Sequence, residues 1–405
     1  MADTTGHVDV MSRIDTATLA PLVSQCLEDP DAEILDWSHR VLQQVTEPYP
    51  GPEVEFDLDD TLQKAVDDLC VMFEQRGSRG GNGRGVYRIS GRARSGTGIE
   101  TWSLILKIQD GSKRELFVLR DRFIDDLPDH FRIPVCYRAD EFDDGTYWLW
   151  LEDVSDDIGE VWPIERFGLA ARHLAHFNGA YLTGRPLPDE SWMVRKPSCR
   201  WEATEDVIAE LESVKAHPLI ARAYTPENRL GIQRLYEDRH RFYEALSEVP
   251  NTLCHLDAQR SNLVASIEDG VDRTVAIDWG SMGIGRLGIE VAQLAVNFRS
   301  VRDVDLSHLQ ELNDLVYEEY LSGLREVGWD GDERQLRLGY ITSMALHHGL
   351  TDFWSIRGAV YPPGYARMRL LWGDRPVEEN MDRRGELIAF LLGKSDEARA
   401  LIDKR

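Results

Sequence analysis

The stretch from His255 to Asn262 constrains the fold of this chain more than any other sequence feature. Asp257 follows His255 by two residues, Asn262 follows Asp257 by five, and Asp278 comes at the end of a short apolar run. Carboxylate and amide side chains in this order can accept a proton and bind a divalent cation. Apolar residues precede each half of the motif, which favours two short strands that present these side chains from loops.

Either half of the motif also has an ordinary structural interpretation. A histidine, an aspartate and an asparagine at this spacing occur in loops without function, and Asp278-Trp279-Gly280 suits a turn that closes a strand. The two halves occur here in the right order and at a short distance. Together they favour a functional site over two unrelated turns.

The motif resembles the catalytic segment of the aminoglycoside phosphotransferase and choline kinase family, small-molecule kinases with a protein-kinase-like fold. The resemblance spans residues 80–300. It implies an α+β chain of two lobes, a small one with an antiparallel β-sheet and a helix, and a larger, mainly helical one. It also implies that Asp257 is the catalytic base, that His255 positions the loop, and that Asn262 and Asp278 bind Mg²⁺.

The resemblance and the local sequence patterns together predict a division into segments. Apolar periodicity predicts an amphipathic helix at 58–75, whereas residues 33–45 fit either a helix or a strand. The predicted segments are 1–78, an N-terminal helical extension or insertion; 79–153, a small nucleotide-binding lobe; and 154–405, a helical lobe with the catalytic loop and the acceptor site.

Lys107, on an apolar strand-like run, is the next candidate. A lysine there can bind the α- and β-phosphates of a nucleotide, although a lysine on an edge strand also simply discourages aggregation. Glu115 follows eight residues later on a helix-like segment, where it can pair with Lys107 and hold it in place. In the resembled family a strand lysine and a helix glutamate fill these roles.

Further candidates for nucleotide binding lie on either side of Lys107. A glycine-rich run at 77–85 contains Gly81 and Asn82, whose backbone amides can approach phosphates, but the run lacks the end of a Walker A motif. Residues 147–154 predict a strand followed by a linker, and the resemblance implies that backbone groups of Glu152 and Val154 bind the adenine ring. A plain strand and loop would have the same sequence.

Beyond the predicted linker, apolar residues repeat at helical spacing. The pattern predicts a helical region at 203–247, which by the resemblance helps to shape the acceptor site. His173 and His176 are interpreted as packed or surface histidines, because no third metal ligand is suggested nearby. Glu290 begins a helix where the resembled family usually carries an aspartate, and we expect it to support the catalytic loop.

Composition limits the possible partners. The formal net charge of −25 disfavours nucleic acid and gives slight support to a cationic acceptor such as an aminoglycoside. No apolar run approaches the length of a membrane span. Five scattered cysteines without a Cys-x-x-Cys pair favour a reducing, cytoplasmic location over a disulfide framework. Oligomeric state is not indicated.

These features predict an enzyme that uses ATP or GTP and Mg²⁺ to transfer the γ-phosphate to a hydroxyl of a small molecule. The sequence leaves several acceptor classes open, which are aminoglycosides and other antibiotics, sugars, nucleosides and amino alcohols. An antibiotic acceptor would imply a role in antibiotic resistance. Leu256 in place of arginine, and the lack of an Ala-Pro-Glu after Asp278, favour a small-molecule over a protein acceptor.

Two alternatives remain open. The first is a non-catalytic, nucleotide-binding kinase relative with a regulatory role, which the retained motif residues disfavour. The second is a metal-dependent phosphatase, which would use the same carboxylates but would not need Lys107.

Overall fold

The chain divides into two compact units. Unit 1 comprises residues within 1–44, 80–125 and 133–155, and unit 2 comprises residues within 45–79, 126–132 and 156–405. No helix of the described residues is long and apolar enough to cross a membrane. The computed structural model describes residues 13–42, 56–76, 83–96, 98–121, 123–124, 127–195, 204–297, 299–361 and 375–404.

The secondary-structure elements are numbered here in chain order. The described helices are α1 (Thr16–Cys26), α2 (Asp60–Arg76), α3 (Arg114–Arg120), α4 (Ile164–Leu182), α5 (Thr204–Val214), α6 (Pro218–Ala223), α7 (Pro226–Ser247), α8 (Ile289–Val296), α9 (Leu309–Glu326), α10 (Glu333–Ser343), α11 (Gly349–Thr351) and α12 (Val377–Asp403). The described strands are β1 (Glu33–Val41), β2 (Gly83–Ser95), β3 (Gly98–Asp110), β4 (Phe131–Arg132), β5 (Cys136–Glu141), β6 (Thr146–Glu152), β7 (Asn251–Cys254), β8 (Leu263–Glu268), β9 (Val271–Ala276) and β10 (Gly283–Arg286).

Unit 1 is built on an antiparallel sheet in the order β1-β2-β3-β6-β5. Leu19, Leu22 and Val23 of α1 lie at helical spacing and are buried in a core with apolar residues of the sheet. Successive strand residues point to opposite faces, so the sheet contributes every second residue to this core. These residues are Tyr87 and Ile89 on β2, Leu104, Leu106 and Ile108 on β3, and Trp148 and Trp150 on β6. Lys107 therefore points to the opposite face of the sheet.

Residues 33–41, which fit a helix or a strand by sequence, form the strand β1. It pairs with β2 from Glu33 opposite Arg94 to Val41 opposite Tyr87. Ion pairs join Glu33 to Arg94 and Asp36 to Arg92 across these strands. Pairing with β2 selects the strand, because the ladder satisfies the backbone groups that a helix would satisfy internally.

Unit 2 is mainly helical. Helices α4 and α9 lie so close that a Cβ on Gly323 would come within 2.6 Å of the Arg172 carbonyl oxygen, and only glycine permits this approach. Helices α5, α6 and α7 occupy the region that periodicity predicts to be helical over 203–247. The expected α+β class, with an antiparallel sheet in the smaller part and a mainly helical larger part, is confirmed.

The predicted amphipathic helix at 58–75 is α2. The Asp59 carboxylate accepts the Leu62 N–H at 2.9 Å, as expected of a residue that caps a helix. Helix α2 belongs to unit 2, whereas α1 and β1 belong to unit 1. The segment 1–78 is thus divided between the two units.

Short strands in unit 2 hold the segments that carry the motif. Strands β8 and β9 pair antiparallel, and β4 pairs parallel with β9. Strand β7 pairs antiparallel with β10, with Cys254 opposite Gly283. Residues 255–262, which the sequence predicts to be the catalytic loop and which are called by that name below, lie between β7 and β8, and Asp278 follows the end of β9.

Candidate active site

Two neighbouring segments of unit 2 carry the acidic and amide groups of the motif. The loop after β7 contains Asp257 and Asn262, and the segment after β9 contains Asp278. The start of β8 lies beside the end of β9 because these strands pair antiparallel. The Ile277 N–H donates to the Asn262 carbonyl at 2.9 Å and joins the two segments.

Three side-chain amides contact the carboxylate of Asp257, and the longest contact is from Gln259 Nε2 to Oδ2 at 3.5 Å. Asn262 Nδ2 donates to Oδ2 at 2.9 Å, and Gln293 Nε2 donates to Oδ1 at 3.1 Å. Burial, together with the nearby Asp278 carboxylate, raises the pKa of Asp257 to about 6, while Arg299 and these two hydrogen bonds act to lower it. Such a carboxyl is mostly ionised at neutral pH and accepts a proton more readily than an ordinary aspartate.

Both amide hydrogens of Asn262 point toward Asp257. Nδ2 donates to the Asp257 carbonyl oxygen and to its carboxylate, each at 2.9 Å. An amide has its oxygen opposite its two N–H donors, so Oδ1 of Asn262 faces away from Asp257. The Ser261 hydroxyl lies 3.5 Å from this oxygen. Oδ1 is the atom that Asn262 can offer to a cation.

The imidazole of His255 is bonded within the motif through both nitrogens. Nδ1 accepts the Asp257 N–H at 3.2 Å, and Nε2 lies 2.9 Å from the Ile277 carbonyl, to which it donates. A nitrogen that accepts carries no proton, so this pattern requires the neutral ring with hydrogen on Nε2. The ring also packs edge-on against Trp279, with centroids 4.5 Å apart. His255 thus links the catalytic loop to the segment that carries Asp278.

Glu290, on helix α8, holds the start of the catalytic loop. Its Oε1 accepts the His255 N–H at 2.6 Å and the Leu256 N–H at 3.2 Å. Leu256 has φ of 61°, a left-handed conformation that is uncommon for a bulky side chain and costs energy. These hydrogen bonds offset that cost. The Glu290 side chain therefore reaches the loop backbone, although it is one methylene longer than an aspartate.

Asn178 of α4 connects Glu290 to the rest of unit 2. Its Nδ2 donates to Glu290 Oε2 at 2.7 Å and to the Leu253 carbonyl at 2.9 Å, and its Oδ1 accepts the Tyr320 hydroxyl at 2.8 Å. Burial raises the pKa of Glu290 to about 7, even though these hydrogen-bond donors favour its ionised form. Helices α4, α8 and α9 thus share one hydrogen-bonded network with the catalytic loop.

Arg260 holds the far end of the catalytic loop. Its guanidinium contacts Asp156 at 3.1 Å and donates to the Gly159 carbonyl at 2.8 Å. The guanidinium of Arg260 also lies 4.0 Å from the ring of Trp162, a distance at which cation–π attraction operates. These contacts tie the loop to residues 156–162.

Gln293, Asn178 and Arg260 contact this site, although they are not among the candidates that the sequence predicts. For Gln293 a signal does exist, because it lies three residues after Glu290 on a predicted helix and hence on the same face. No comparable signal marks Asn178, which is 112 residues from Glu290 in the chain.

In unit 1, Lys107 and Glu115 form the ion pair that their spacing predicts. Lys107 Nζ lies 2.9 Å from Oε1 and 2.7 Å from Oε2 of the glutamate. Gln109 Nε2 donates to Oε2 at 2.7 Å. The Lys107 side chain is 14% exposed and that of Glu115 1%, so the pair is largely shielded from water.

The remaining candidates for nucleotide binding differ in what the structure shows. The Glu152 N–H donates to the Val135 carbonyl at 2.9 Å within unit 1, so this N–H is already engaged. Val154 follows the end of β6 and is half-buried. Gly81 and Asn82 lie outside the described residues.

His173 and His176 make separate polar contacts in unit 2. Nδ1 of His173 lies 2.9 Å from the Thr274 hydroxyl, and Nε2 of His176 lies 2.7 Å from the Glu326 carboxylate. Burial lowers the pKa of His173 to about 3, so this ring is neutral at ordinary pH. The His173 ring also stacks on that of His130, with centroids 5.3 Å apart.

Comparison with known proteins gives similar structures but no similar sequence. No protein-family model and no curated protein matches the chain. A spectinomycin phosphotransferase in complex with ADP and spectinomycin is 13% identical, with a TM-score of 0.48, over 78% of this chain and 92% of that one. A microcompartment-associated aminopropanol kinase is 14% identical, with a TM-score of 0.45, over 86% and 97%. A choline kinase from Cryptosporidium parvum Iowa II is 14% identical, with a TM-score of 0.44, over 80% and 88%. Values this low assign no activity, substrate or cofactor to this chain.

Proposed function

We propose that this protein is a small-molecule kinase that transfers the γ-phosphate of ATP or GTP to a hydroxyl group. The arrangement of Asp257, Asn262 and Asp278 on two joined segments carries this proposal. Phosphoryl transfer requires an oriented hydroxyl and neutralisation of phosphate charge, and little covalent chemistry from the protein. The motif residues supply groups for both needs.

Asp257 is the proposed base. Its side chain is half-buried, its two carboxylate oxygens accept the amides of Asn262 and Gln293, and its pKa is raised to about 6. Oδ1 keeps a second lone pair that can accept the proton of a substrate hydroxyl, whereas Gln259 Nε2 also lies 3.5 Å from Oδ2. His255, with both nitrogens bonded inside the motif, acts as a positioning residue.

Asn262 and Asp278 are the proposed ligands of Mg²⁺. Mg²⁺ prefers oxygen ligands and usually takes one or two from the protein and the others from phosphates and water. Asn262 Oδ1 faces away from the base, and Asp278 lies close enough to Asp257 to raise its pKa. A cation near these two carboxylates would offset their mutual repulsion, so the donor set fits the ion. When bound, Mg²⁺ neutralises phosphate charge.

Lys107 is the proposed phosphate ligand in unit 1. A free lysine side chain loses much conformational entropy when it binds. Here the contacts between Lys107 and Glu115 have already restricted the chain. In this proposal Glu115 orients Lys107, and the nucleotide site takes backbone groups from Val154 and the carbonyl oxygen of Glu152, whose N–H is engaged by Val135. Gly81 and Asn82, which the sequence suggests as phosphate contacts, belong to the same proposal.

In this proposal the acceptor is a hydroxylated small molecule. The charges near Asp257 are the feature of the site that bears on its chemical class. Arg299 acts on Asp257 as a nearby positive charge. Two carboxylates, Asp257 and Asp278, lie near the same position, so the local charges do not select against a cationic acceptor. The net charge of −25 gives slight support to one.

Calorimetric titration of ATP and of GTP, each with and without Mg²⁺, tests the proposal without an identified acceptor. The proteins are the wild type, Asp278→Ala and the control Asp272→Ala. Asp272 is an exposed carboxylate on β9, the strand that leads to Asp278. Asp272→Ala therefore changes the net charge of the protein by the same amount as Asp278→Ala.

The expected result is Mg²⁺-dependent binding of one nucleotide to the wild type and to Asp272→Ala, and its loss in Asp278→Ala. Unchanged Mg²⁺-dependent affinity in Asp278→Ala would refute the metal assignment. No binding of either nucleotide to the wild type would refute the kinase proposal as stated.

A further inference from the structure

Helix α8 directs two polar side chains at the same loop. Glu290 and Gln293 are three residues apart, which places them on one face of the helix. Glu290 accepts backbone N–H groups of His255 and Leu256. Gln293 donates to the carboxylate of Asp257. One helix therefore contacts both the backbone of the loop and its proposed catalytic side chain.

The chemistry of the carboxylate decides the orientation of the Gln293 amide. An ionised carboxylate only accepts hydrogen bonds, so the nitrogen of the amide must face Asp257. Asn262 donates to Oδ2 at 2.9 Å, with Gln259 Nε2 3.5 Å from the same oxygen, whereas Gln293 donates to Oδ1 at 3.1 Å. The terminal torsion of an aspartate is broad when nothing restrains it. Donors on both oxygens restrict this rotation, whereas a donor on one oxygen would leave it freer.

The backbone of Gln293 is itself held at both sides. Helix α8 starts after Gly288, which has φ of 92° and whose absent Cβ would lie 2.6 Å from the Tyr340 nitrogen. The Gln293 carbonyl accepts the Ser300 hydroxyl at 3.4 Å, and that hydroxyl oxygen accepts the Arg260 N–H at 3.0 Å. Gln293 therefore extends from a fixed helix that is also bonded to the far end of the catalytic loop.

We infer that Gln293 is a positioning residue that holds the carboxylate plane of Asp257 in the orientation needed to accept the substrate proton. The catalytic consequence rests on the proposed function. Misplacement of a reacting group by about 1 Å can lower a rate by about a hundredfold. Loss of the Gln293 donor to Oδ1 is therefore expected to lower turnover and to leave nucleotide binding unchanged.

Two substitutions of Gln293 separate hydrogen bonding from packing. Gln293→Met keeps the length of the side chain but removes the donor. Gln293→Glu keeps the shape of glutamine but places a second carboxylate against Asp257. If Gln293 served packing alone, Gln293→Glu would be the milder change. If it orients Asp257, Gln293→Met lowers turnover, measured as Mg²⁺-dependent hydrolysis of the nucleotide with water as the acceptor, by about tenfold or more, and Gln293→Glu lowers it further.

Gln63→Met is the matched control. Gln63 is an exposed residue of α2 whose Nε2 donates to the Asp67 carboxylate at 2.8 Å. The substitution removes the same kind of amide–carboxylate bond away from the catalytic loop. We expect wild-type turnover, and all three variants should retain the wild-type affinity for Mg²⁺-nucleotide.

An NMR measurement tests the contact independently of turnover. The side-chain amide signal of Gln293 is assigned by its absence in Gln293→Met, and its shift is compared between the wild type and Asp257→Ala. A large shift change in Asp257→Ala, with the Gln63 amide signal unchanged, is expected. An unchanged Gln293 signal would overturn the inference, and so would turnover in Gln293→Glu equal to the wild type.

Failure of the inference and failure of the proposed function give different results. If the protein is not a kinase, the wild type binds no Mg²⁺-nucleotide while the Gln293 signal still depends on Asp257. If only the inference is wrong, nucleotide binds and turnover occurs, but it is insensitive to Gln293.

Discussion

Two pairs of charged residues in this protein differ in the signs of the charges that they bring together. In unit 1, Lys107 and Glu115 bring opposite charges to within 2.7 Å and shield them from water. In unit 2, Asp257 and Asp278 bring like charges near each other, and burial with this repulsion raises the pKa of Asp257 to about 6. The first arrangement is electrostatically balanced by itself, whereas the second is not.

We infer that the carboxylates of unit 2 carry the chemistry of the proposed function and that the ion pair of unit 1 provides a fixed charge. Asp257 is half-buried and Asp278 is exposed, and a carboxyl pKa that burial and a nearby like charge raise is a sign of a functional site. A balanced ion pair occurs in many structural settings and is weaker support for function. The four predictions that follow test this contrast, beginning with the largest expected effect.

Asp257→Asn should lower phosphoryl transfer by about a hundred- to ten-thousandfold, because general base catalysis contributes an effect of this size. Nucleotide binding should survive, since the substitution also removes one of two repelling carboxylates. Steady-state turnover and calorimetry on the same preparation measure both. Turnover close to that of the wild type would show that Asp257 is not the base, and the carboxylates of unit 2 would then have no stronger claim to a chemical role than the ion pair of unit 1.

Glu290→Gln should change how stability depends on pH. Glu290 is buried and has a pKa raised from 4.5 to about 7, a shift worth about 3 kcal/mol. In the folded protein the protonated form is favoured, so the wild type is most stable below about pH 4.5 and loses this contribution as pH rises toward 7. The variant has no ionisable group at this position, so its free energy of unfolding should fall less as pH rises.

The measurement for Glu290 is urea unfolding of both proteins at pH 5 and pH 8. The free energy of unfolding of the wild type, relative to the variant, should be larger at pH 5. An equal difference at both pH values would show that Glu290 keeps the same ionisation state throughout.

Lys107→Ala should lower turnover by about ten- to a hundredfold, the effect expected from losing one hydrogen bond between charged groups. Glu115→Gln should have a smaller effect in the same direction, because Lys107 remains but is less restricted. Turnover and the Michaelis constant for the nucleotide are the measurements. Full activity of Lys107→Ala would favour a metal-dependent phosphatase, which does not need this lysine.

The exposed pair of Lys113 and Glu141 provides the smallest expected effect. Its side chains are 42% and 37% exposed, and such pairs contribute less than about 1 kcal/mol. A double-mutant cycle on the free energy of unfolding should give a coupling below that value, with turnover unchanged. A turnover loss comparable to that of Lys107→Ala would show that any nearby charge, and not the Lys107 pair, is needed.

The parts of the fold and site that sequence could predict depend on contacts between residues close in the chain. Lys107 and Glu115 are eight residues apart, and Asp257 and Asn262 are five apart. One strand-to-helix connection or one loop brings each pair together. The strand that carries Lys107 and the helical character of residues 203–247 follow from local apolar patterns in the same way.

The parts that sequence could not predict depend on how distant elements pack. Gln293 meets Asp257 from 36 residues away, and Asn178 meets Glu290 from 112. The strand β1 could not be predicted for the same reason. The sequence pattern of its residues fits both a helix and a strand, and pairing with β2 selects the strand. The assignment of residues within 1–78 to two units also depends on packing, although the sequence has Pro48, Pro50 and Pro52 close to the boundary after residue 44.

The close approach of α4 and α9 makes Gly323 sensitive to mutation, although it is buried between helices and does not belong to the catalytic loop. Any side chain there would meet the Arg172 carbonyl and displace α9, and Tyr320 lies one turn earlier on that helix. Tyr320 bonds to Asn178, which bonds to Glu290, which holds the catalytic loop. A selection for inactive variants should therefore return substitutions at Gly323 alongside those at Asp257, and suppressors of them should fall in the helices rather than in the loop.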